Sequence, residues 1–282
     1  MQYIGNLVGP VLVFGGPYSN FQATTALLEE ARQRNIGPEN IICTGDVVAY
    51  CADAQATVDA VRESGIHVVM GNCEESLGYD KDGCGCGFEE GSTCDLLSVQ
   101  WFSHARKTLN DEAKQWMAGL PRCLTFEINN RRMAAIHGGV KDIGRFIFRS
   151  TGRRDKSREL DQLNVDGVVA GHCGLPFSEN IDGRIWHNAG VIGMPANDAT
   201  PRTWFSILTP AGGGVEIDHI ALSYDHLSAV NRMRDENMPE DYAMSLETGL
   251  WPNMDILPMA ERALKGRTLM PDSHFWSRET WK

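Results

Sequence analysis

Four residues able to bind a metal ion each stand just behind a short apolar run. Asp46 follows Ile41-Ile42-Cys43, Asn72 follows the run from Ile66 to Met70, His137 follows Arg131 to Ile136, and His172 follows Gly167 to Ala170. A carboxylate, an amide oxygen and two imidazoles make a donor set that suits Mn, Fe, Zn or Ni. Singly, each residue has a plainer use. Asp46 after Gly45 caps a turn, Asn72 tolerates left-handed backbone, and a lone histidine is more often structural than a ligand. Jointly, four such residues at four strand ends predict one site, because ligands of open α/β sheets bind beyond the carboxyl ends of strands.

Thiols are the second chemical feature. The eight cysteines are Cys43, Cys51, Cys73, Cys84, Cys86, Cys94, Cys123 and Cys173. In a long chain with no export signal they are expected to be mostly reduced. Cys73, Cys84, Cys86 and Cys94 cluster in and around a Gly- and acid-rich stretch, 78–94, placed to fold back over the site. Thiolates favour Zn, Fe or Cu(I). Cys84-x-Cys86 lacks the Cys-x-x-Cys spacing of zinc ribbons, so a metal or redox role and a merely flexible loop both stay open.

The elements that must position these residues follow from periodicity. Val11 to Phe14 reads as a buried strand stopped by Gly15-Gly16-Pro17, and Asn20 caps the helix that follows. Strands at 41–43 and 66–70, with helices between them, imply βαβ units and a parallel sheet. Helices are expected at 96–109, 111–118 and 157–163. Strands are expected at 124–128, 131–136, 167–170, 177–181, 184–188, 203–208 and 215–222. Residues 78–94 are expected to form no packed element. The chain divides into a body, 1–225, carrying the 78–94 insertion, and a C-terminal extension, 226–282, helical and then irregular, packed on the body. The tryptophans of that tail are read as packing residues.

Gly45-Asp46, Gly71-Asn72, His137-Gly138 and Gly171-His172 together resemble the ordered blocks of the calcineurin-like metallophosphoesterases. The small prokaryotic phosphodiesterase and diadenosine-tetraphosphatase-like branch is the most similar. Asn188 to Pro195 resembles its Asn-Pro-Gly-Ser-Val-Gly block, and Tyr224-Asp225 begins a piece similar to its C-terminal part. The resemblance spans roughly residues 10–250 and implies an α/β fold, a four-layer αββα sandwich with two central sheets and helices outside. It implies two metals ~3.5–4 Å apart that clamp a phosphoryl group and activate water. Asp46 would bridge them, and Asn72, His137 and His172 would complete the protein ligands of the second.

The departures fall on one metal. Where the family reads Asp-x-His-x-Asn, this chain reads Gly16-Pro17-Tyr18-Ser19-Asn20. Where it reads Gly-His-x-His, the chain has Gly171-His172-Cys173-Gly174. The block that often reads Gly-Asn-His-Asp or -Glu is Gly71-Asn72-Cys73-Glu74. Losses confined to one half-site suggest a rebuilt pocket. Tyr18, Asn20, Cys73, Glu74, Cys84, Cys86, Cys94 and Cys173 are the candidate additional ligands or pocket residues. Tyr18 is read first as filling the lost ligand's volume or bonding to substrate. Glu75, Glu89 and Glu90 are read as solvated acids, and Lys141, Arg145 and Arg149 as surface charge or as a receiver for an anionic substrate.

Three functions follow, in order. The first is a hydrolase cutting a phosphoester with a metal-activated water, using one or two divalent transition metal ions. The second is a metalloenzyme with lyase or redox chemistry on the same fold. The third is a non-catalytic binding protein. A net charge of -11 and the lack of a Lys/Arg run speak against nucleic-acid and membrane partners. No apolar stretch approaches the ~18–20 residues that span a bilayer. A cytoplasmic location and a small, anionic substrate are therefore expected, with a homo-oligomer left open.

Overall fold

The computed structural model describes residues 1–86 and 91–277, the side chains of 93–95 excepted. Two six-stranded sheets stack face to face. The first holds β1 (Gln2–Asn6), β5 (Cys123–Ile128), β6 (Arg131–Ile136), β7 (Gly167–Ala170), β9 (Arg184–Asn188) and β8 (Phe177–Ile181), in that spatial order. The second runs β12 (Asp272–Ser277), β11 (Gly214–Leu222), β10 (Thr203–Ala211), β2 (Val11–Phe14), β3 (Ile41–Cys43) and β4 (His67–Val68). Pairing is parallel within β2-β3-β4 and within β6-β7-β9, and antiparallel across the hairpins. Asn129 and Asn130 both take positive φ between β5 and β6, as a two-residue hairpin turn requires.

Strand alternation builds the layers. Val11, Val13 and Ile42 point between the sheets, where they meet Phe126, Met133, Ala135 and Val169. Their neighbours Leu12, Phe14, Ile41 and Cys43 point outward. That face is covered by helices α1 (Phe21–Gln33) and α2 (Ala54–Glu63), through Leu27, Val58 and Val61. On the far side Ala134, Ile136, Val168 and Ala170 pack against Leu160 and Leu163 of α6 (Arg153–Leu163). This is the α/β four-layer sandwich, and strands buried on both faces explain why the sequence shows runs rather than alternation. Between α2 and β5 lie α3 (Asn72–Gly78), α4 (Thr93–Thr108) and α5 (Asp111–Ala118). After β11 come α7 (His226–Asp235), which packs on α1, then α8 (Glu240–Thr248) and α9 (Met259–Arg262).

Three elements differ from the sequence reading. β1 adds an exposed edge strand ahead of the first expected one. Asn72 opens a short helix instead of standing in a turn. The tail read as irregular ends in β12, which pairs with β11 in continuous antiparallel register. Among the described residues no helix is long and apolar enough to cross a membrane.

One polar group interrupts the layer between the sheets. His187 of β9 and His219 of β11 face each other with ring centroids 4.9 Å apart. The Ser178 hydroxyl lies 2.9 Å from His187 Nδ1 and 3.0 Å from His219 Nε2, and Ser206 lies 3.1 Å from His219 Nδ1. Burial, then the neighbouring histidines, push His187 far down. Burial pushes His219 down to about 4, with Asp272 working against it and His274 with it. Both rings are therefore neutral in the fold, while unfolded histidine takes its proton near pH 6.5. Below that pH the unfolded chain binds more protons, so stability is complete above about 6.5 and falls toward pH 4. Each ring costs about 1.4 kcal/mol per pH unit in that window. His187→Asn is expected to lower the slope of unfolding free energy against pH, from 7.5 to 5, by about one proton. An unchanged slope in metal-saturated protein would show that His187 is not held neutral.

Candidate metal centre

The parallel strands of both sheets end at one edge, and there the four predicted ligands meet. His137 stands just beyond β6. Its Nδ1 lies 2.6 Å from the Thr44 carbonyl, so it carries the proton and donates. That leaves Nε2 as a lone pair. Nε2 then faces Asn72 Oδ1 at 3.0 Å, His172 Nδ1 at 3.0 Å and Asp46 Oδ2 at 3.2 Å. Asn72 Oδ1 and the ionised Asp46 oxygen can only accept. In the neutral ring the Nε2 lone pair converges with these acceptors, and the oxygen and nitrogen donors fit a divalent transition metal. Asp46, His137 and His172 are all buried.

With no ion bound, Asp46 draws a proton onto His137, so the position a cation would take already attracts positive charge. Burial opposes the Asp46 charge, but the His137 ring beside it outweighs burial and lowers the carboxyl. Burial also opposes a His137 cation, and Asp46 with the Thr44 carbonyl outweighs it and raises the ring. His172 is pushed down to about 3, first by burial and then by His137, so it is a neutral imidazole.

Local backbone holds the donors rigidly. Tyr18, Asp46 and His172 take φ of 53°, 57° and 61°, a left-handed conformation that side chains with a Cβ rarely adopt and that clusters at functional sites. The loops after β2 and β3 are zipped together: Tyr18 N donates to Asp46 O at 3.1 Å and Ser19 N to Val47 O at 2.8 Å. A Cβ on Gly71 would overlap the Asp46 carboxylate, so that position must be glycine for the two loops to approach. Asn188 ties down the His172 loop, donating from Nδ2 to Gly171 O at 2.8 Å while its Oδ1 accepts from Gly190 N.

The additional candidates separate into groups. Asn20 is away from the donors. Its Oδ1 caps α1 at Ala23 N, and its Nδ2 donates to Gly193 O and Tyr224 Oη at 3.1 Å each. Glu74 turns its carboxylate onto backbone, accepting from Asp46 N and Val47 N at 2.7 Å and from Gly71 N at 2.8 Å. Cys73 donates its backbone N–H to Asp46 Oδ1 at 3.2 Å. Its thiol is buried, which with the Asp46 and Glu74 charges keeps it protonated. Cys173 lines the cavity and accepts from Asn188 Nδ2 at 3.2 Å.

The 78–94 stretch is more ordered than the sequence suggests. Cys84 and Cys86 are buried and joined in a disulfide, so they do not offer a free thiolate pair. Instead the Cys84 carbonyl accepts from Asn72 Nδ2 at 3.0 Å and turns Asn72 Oδ1 toward the histidines. Cys43, Cys51, Cys73, Cys123 and Cys173 are free thiols. The Cys94 side chain and residues Glu89 and Glu90 lie outside the described residues. Arg145 is engaged with Glu159 at 2.6 Å, and Lys141 and Arg149 are exposed. None of the three lines the cavity beside the donors.

Residues that were not among the candidates complete the site. The Thr44 carbonyl fixes the His137 tautomer, and the Phe146 ring stacks on His172 at 4.2 Å. Trp251, from the tail, borders the same cavity. A second group, His219, Asp272 and His274, also brings ligand atoms within 4.8 Å of one another. There, however, serine hydroxyls occupy both His219 nitrogens.

The sequence matches the calcineurin-like phosphoesterase superfamily domain over residues 18–210. The chain belongs to the calcineurin-like phosphoesterase superfamily. A hypothetical protein from Pyrococcus horikoshii OT3 has a similar fold at 16% identity and TM-score 0.69, covering 86% of this chain and 99% of its own. A metallophosphoesterase from Sphaerobacter thermophilus aligns at 19% identity and TM-score 0.66, covering 86% and 100%. An uncharacterized protein of Methanocaldococcus jannaschii is 23% identical over 255 residues, 82% of this chain and 94% of its own. The two-sheet sandwich of this superfamily member carries at one edge a buried group, Asp46, His137 and His172, that could hold a metal ion.

Proposed function

We propose that this chain is a metal-dependent phosphoesterase that works with a single divalent transition metal ion. The observation that carries this reading is the convergence of Asp46, Asn72, His172 and the His137 lone pair at 3.0–3.2 Å. Mn, Fe, Zn and Ni all suit these donors. When bound, such an ion polarises a phosphoryl oxygen and acidifies the water that attacks it. The chain's own part is orientation. Asp46 and Asn72 supply the anionic and amide oxygens, Thr44 and the Cys84 carbonyl fix ring and amide, and the buried walls exclude bulk water. Tyr18, whose phenol burial and then Asp46 hold far above its usual range, stays a neutral donor at the cavity edge. A substrate carried as a phosphoester anion, and a cytoplasmic location, go with this reading.

The second reading, lyase or redox chemistry at the same ion, gains support from the aromatic residues standing where the other ligands would be. One experiment separates the two. The purified chain is loaded in turn with Mn, Fe, Ni and Zn, and metal content and hydrolysis of bis(p-nitrophenyl) phosphate and p-nitrophenyl phosphate are measured. About one ion per chain with turnover is expected. One ion with no turnover overturns the phosphoesterase reading and leaves other chemistry or plain binding at the ion. Neither metal nor turnover under any loading overturns both.

A further inference from the structure

Rings stand at two of the vacated ligand positions. A Cβ on Gly16 would meet the Tyr18 ring at 2.5–2.8 Å, so the Tyr18 ring covers the space where the family pattern has a carboxylate. A Cβ on Gly174 would lie 3.6 Å from Trp251 Cζ2, so the indole stands where the last histidine would project. Both rings are fixed. Trp251 Nε1 donates to Pro195 O at 2.7 Å and its backbone N to Asn197 Oδ1 at 2.9 Å. Tyr18 meets Tyr50 edge-on at 4.8 Å, and Tyr50 rests against Tyr242 at 4.8 Å.

Tyr18 and Trp251 share one cavity of about 70 Å³ with Asp46 and His172, lined also by Tyr50, Tyr242, Phe146 and Ile256. Two properties define what fits. Among the described residues no Lys or Arg lines it, and a polyphosphate chain or a second carboxylate entering a low-dielectric site needs such a partner. The enclosed part of the cavity is small, which suits a compact group at the mouth. Aromatic faces and edges suit an apolar group better than a hydrated one.

We propose that the lost half-site has become an aromatic subsite for the uncharged, apolar alcohol portion of a compact phosphoester. The phosphoryl end of this assignment rests on the metal reading above. The test is calorimetric, on the full metal-loaded chain, with phenylphosphonate, phosphonoacetate and ADP. Phenylphosphonate is expected to bind about tenfold tighter than either of the others. Trp251→Ala should erase that advantage, weakening phenylphosphonate about tenfold and phosphonoacetate by much less. Ile256→Lys, at the half-exposed rim, should reverse the preference toward phosphonoacetate, and it serves if Trp251→Ala fails to fold. Equal or tighter binding of phosphonoacetate or ADP overturns the proposal, as does a preference that survives both variants. Phenol, followed by ligand-observed NMR on the metal-free chain, separates the two readings. Phenol contact that depends on Trp251 keeps the subsite even where no phosphonate binds. Phosphonate binding with no such contact removes the subsite and leaves the metal reading standing.

Discussion

His137→Ala is expected to empty the metal centre and to lower phosphoester hydrolysis by at least about 100-fold, the upper end of what the loss of a mere supporting partner costs. His137 is the hub of the site: its Nε2 is 3.0 Å from Asn72 Oδ1, 3.0 Å from His172 Nδ1 and 3.2 Å from Asp46 Oδ2. Removing the ring also leaves the buried Asp46 charge without its partner. Two measurements check this. Metal analysis should fall from about one ion per chain to near zero. A chelator should lower the melting temperature of the wild type and not that of the variant, because an ion that binds only the folded state stabilises it by mass action. Retention of one ion and of activity within a few-fold would remove His137 from the centre.

Much of this centre was legible in the sequence, for a physical reason. β3, β6 and β7 are buried on most or all of their length, so their apolar runs are unbroken, and the polar residue after each run marks a strand end. Parallel strands bring such ends to one edge. What stayed hidden rests on contacts between distant parts of the chain. Glu74 looks like a pocket acid until its partners are seen to be backbone N–H groups of the Asp46 loop. Asn20 is legible as a helix cap, but as a candidate pocket residue it is settled only by its contacts with Gly193 and Tyr224. Trp251 gave no sign of its role, because only the fold sets its indole beside Gly174. β1 and β12 are edge strands, the first with no buried residue and the second burying only its last two, so periodicity has little to read. The Cys84 carbonyl carries no side-chain signal at all.

Glu74→Ala is expected to cost about 3 kcal/mol or more in stability, at roughly 1–3 kcal/mol for each buried donor left without an acceptor. Three are at stake: the N–H groups of Asp46, Val47 and Gly71. Burial, then the Asp46 charge, raise the Glu74 acid to about 7, while these donors hold it down. The three N–H groups belong to the two loops that carry Asp46 and Asn72, so the carboxylate clamps one ligand-bearing turn to the other. A drop in melting temperature of about 6–12 °C corresponds to that cost in a chain of this size. Glu74→Gln distinguishes the clamp from simple packing. With its amide oxygen in the Oε2 place it keeps the acceptor for Asp46 and Gly71 and presents an NH2 to Val47, so its loss should be smaller than that of alanine, at nearly equal volume. Weaker metal affinity should accompany both losses, in the same order, because the clamp sets the distance between Asp46 and Asn72. A glutamine variant as unstable as alanine would mean that charge rather than acceptor geometry holds the loops. An alanine variant as stable as the wild type would mean that Glu74 clamps nothing.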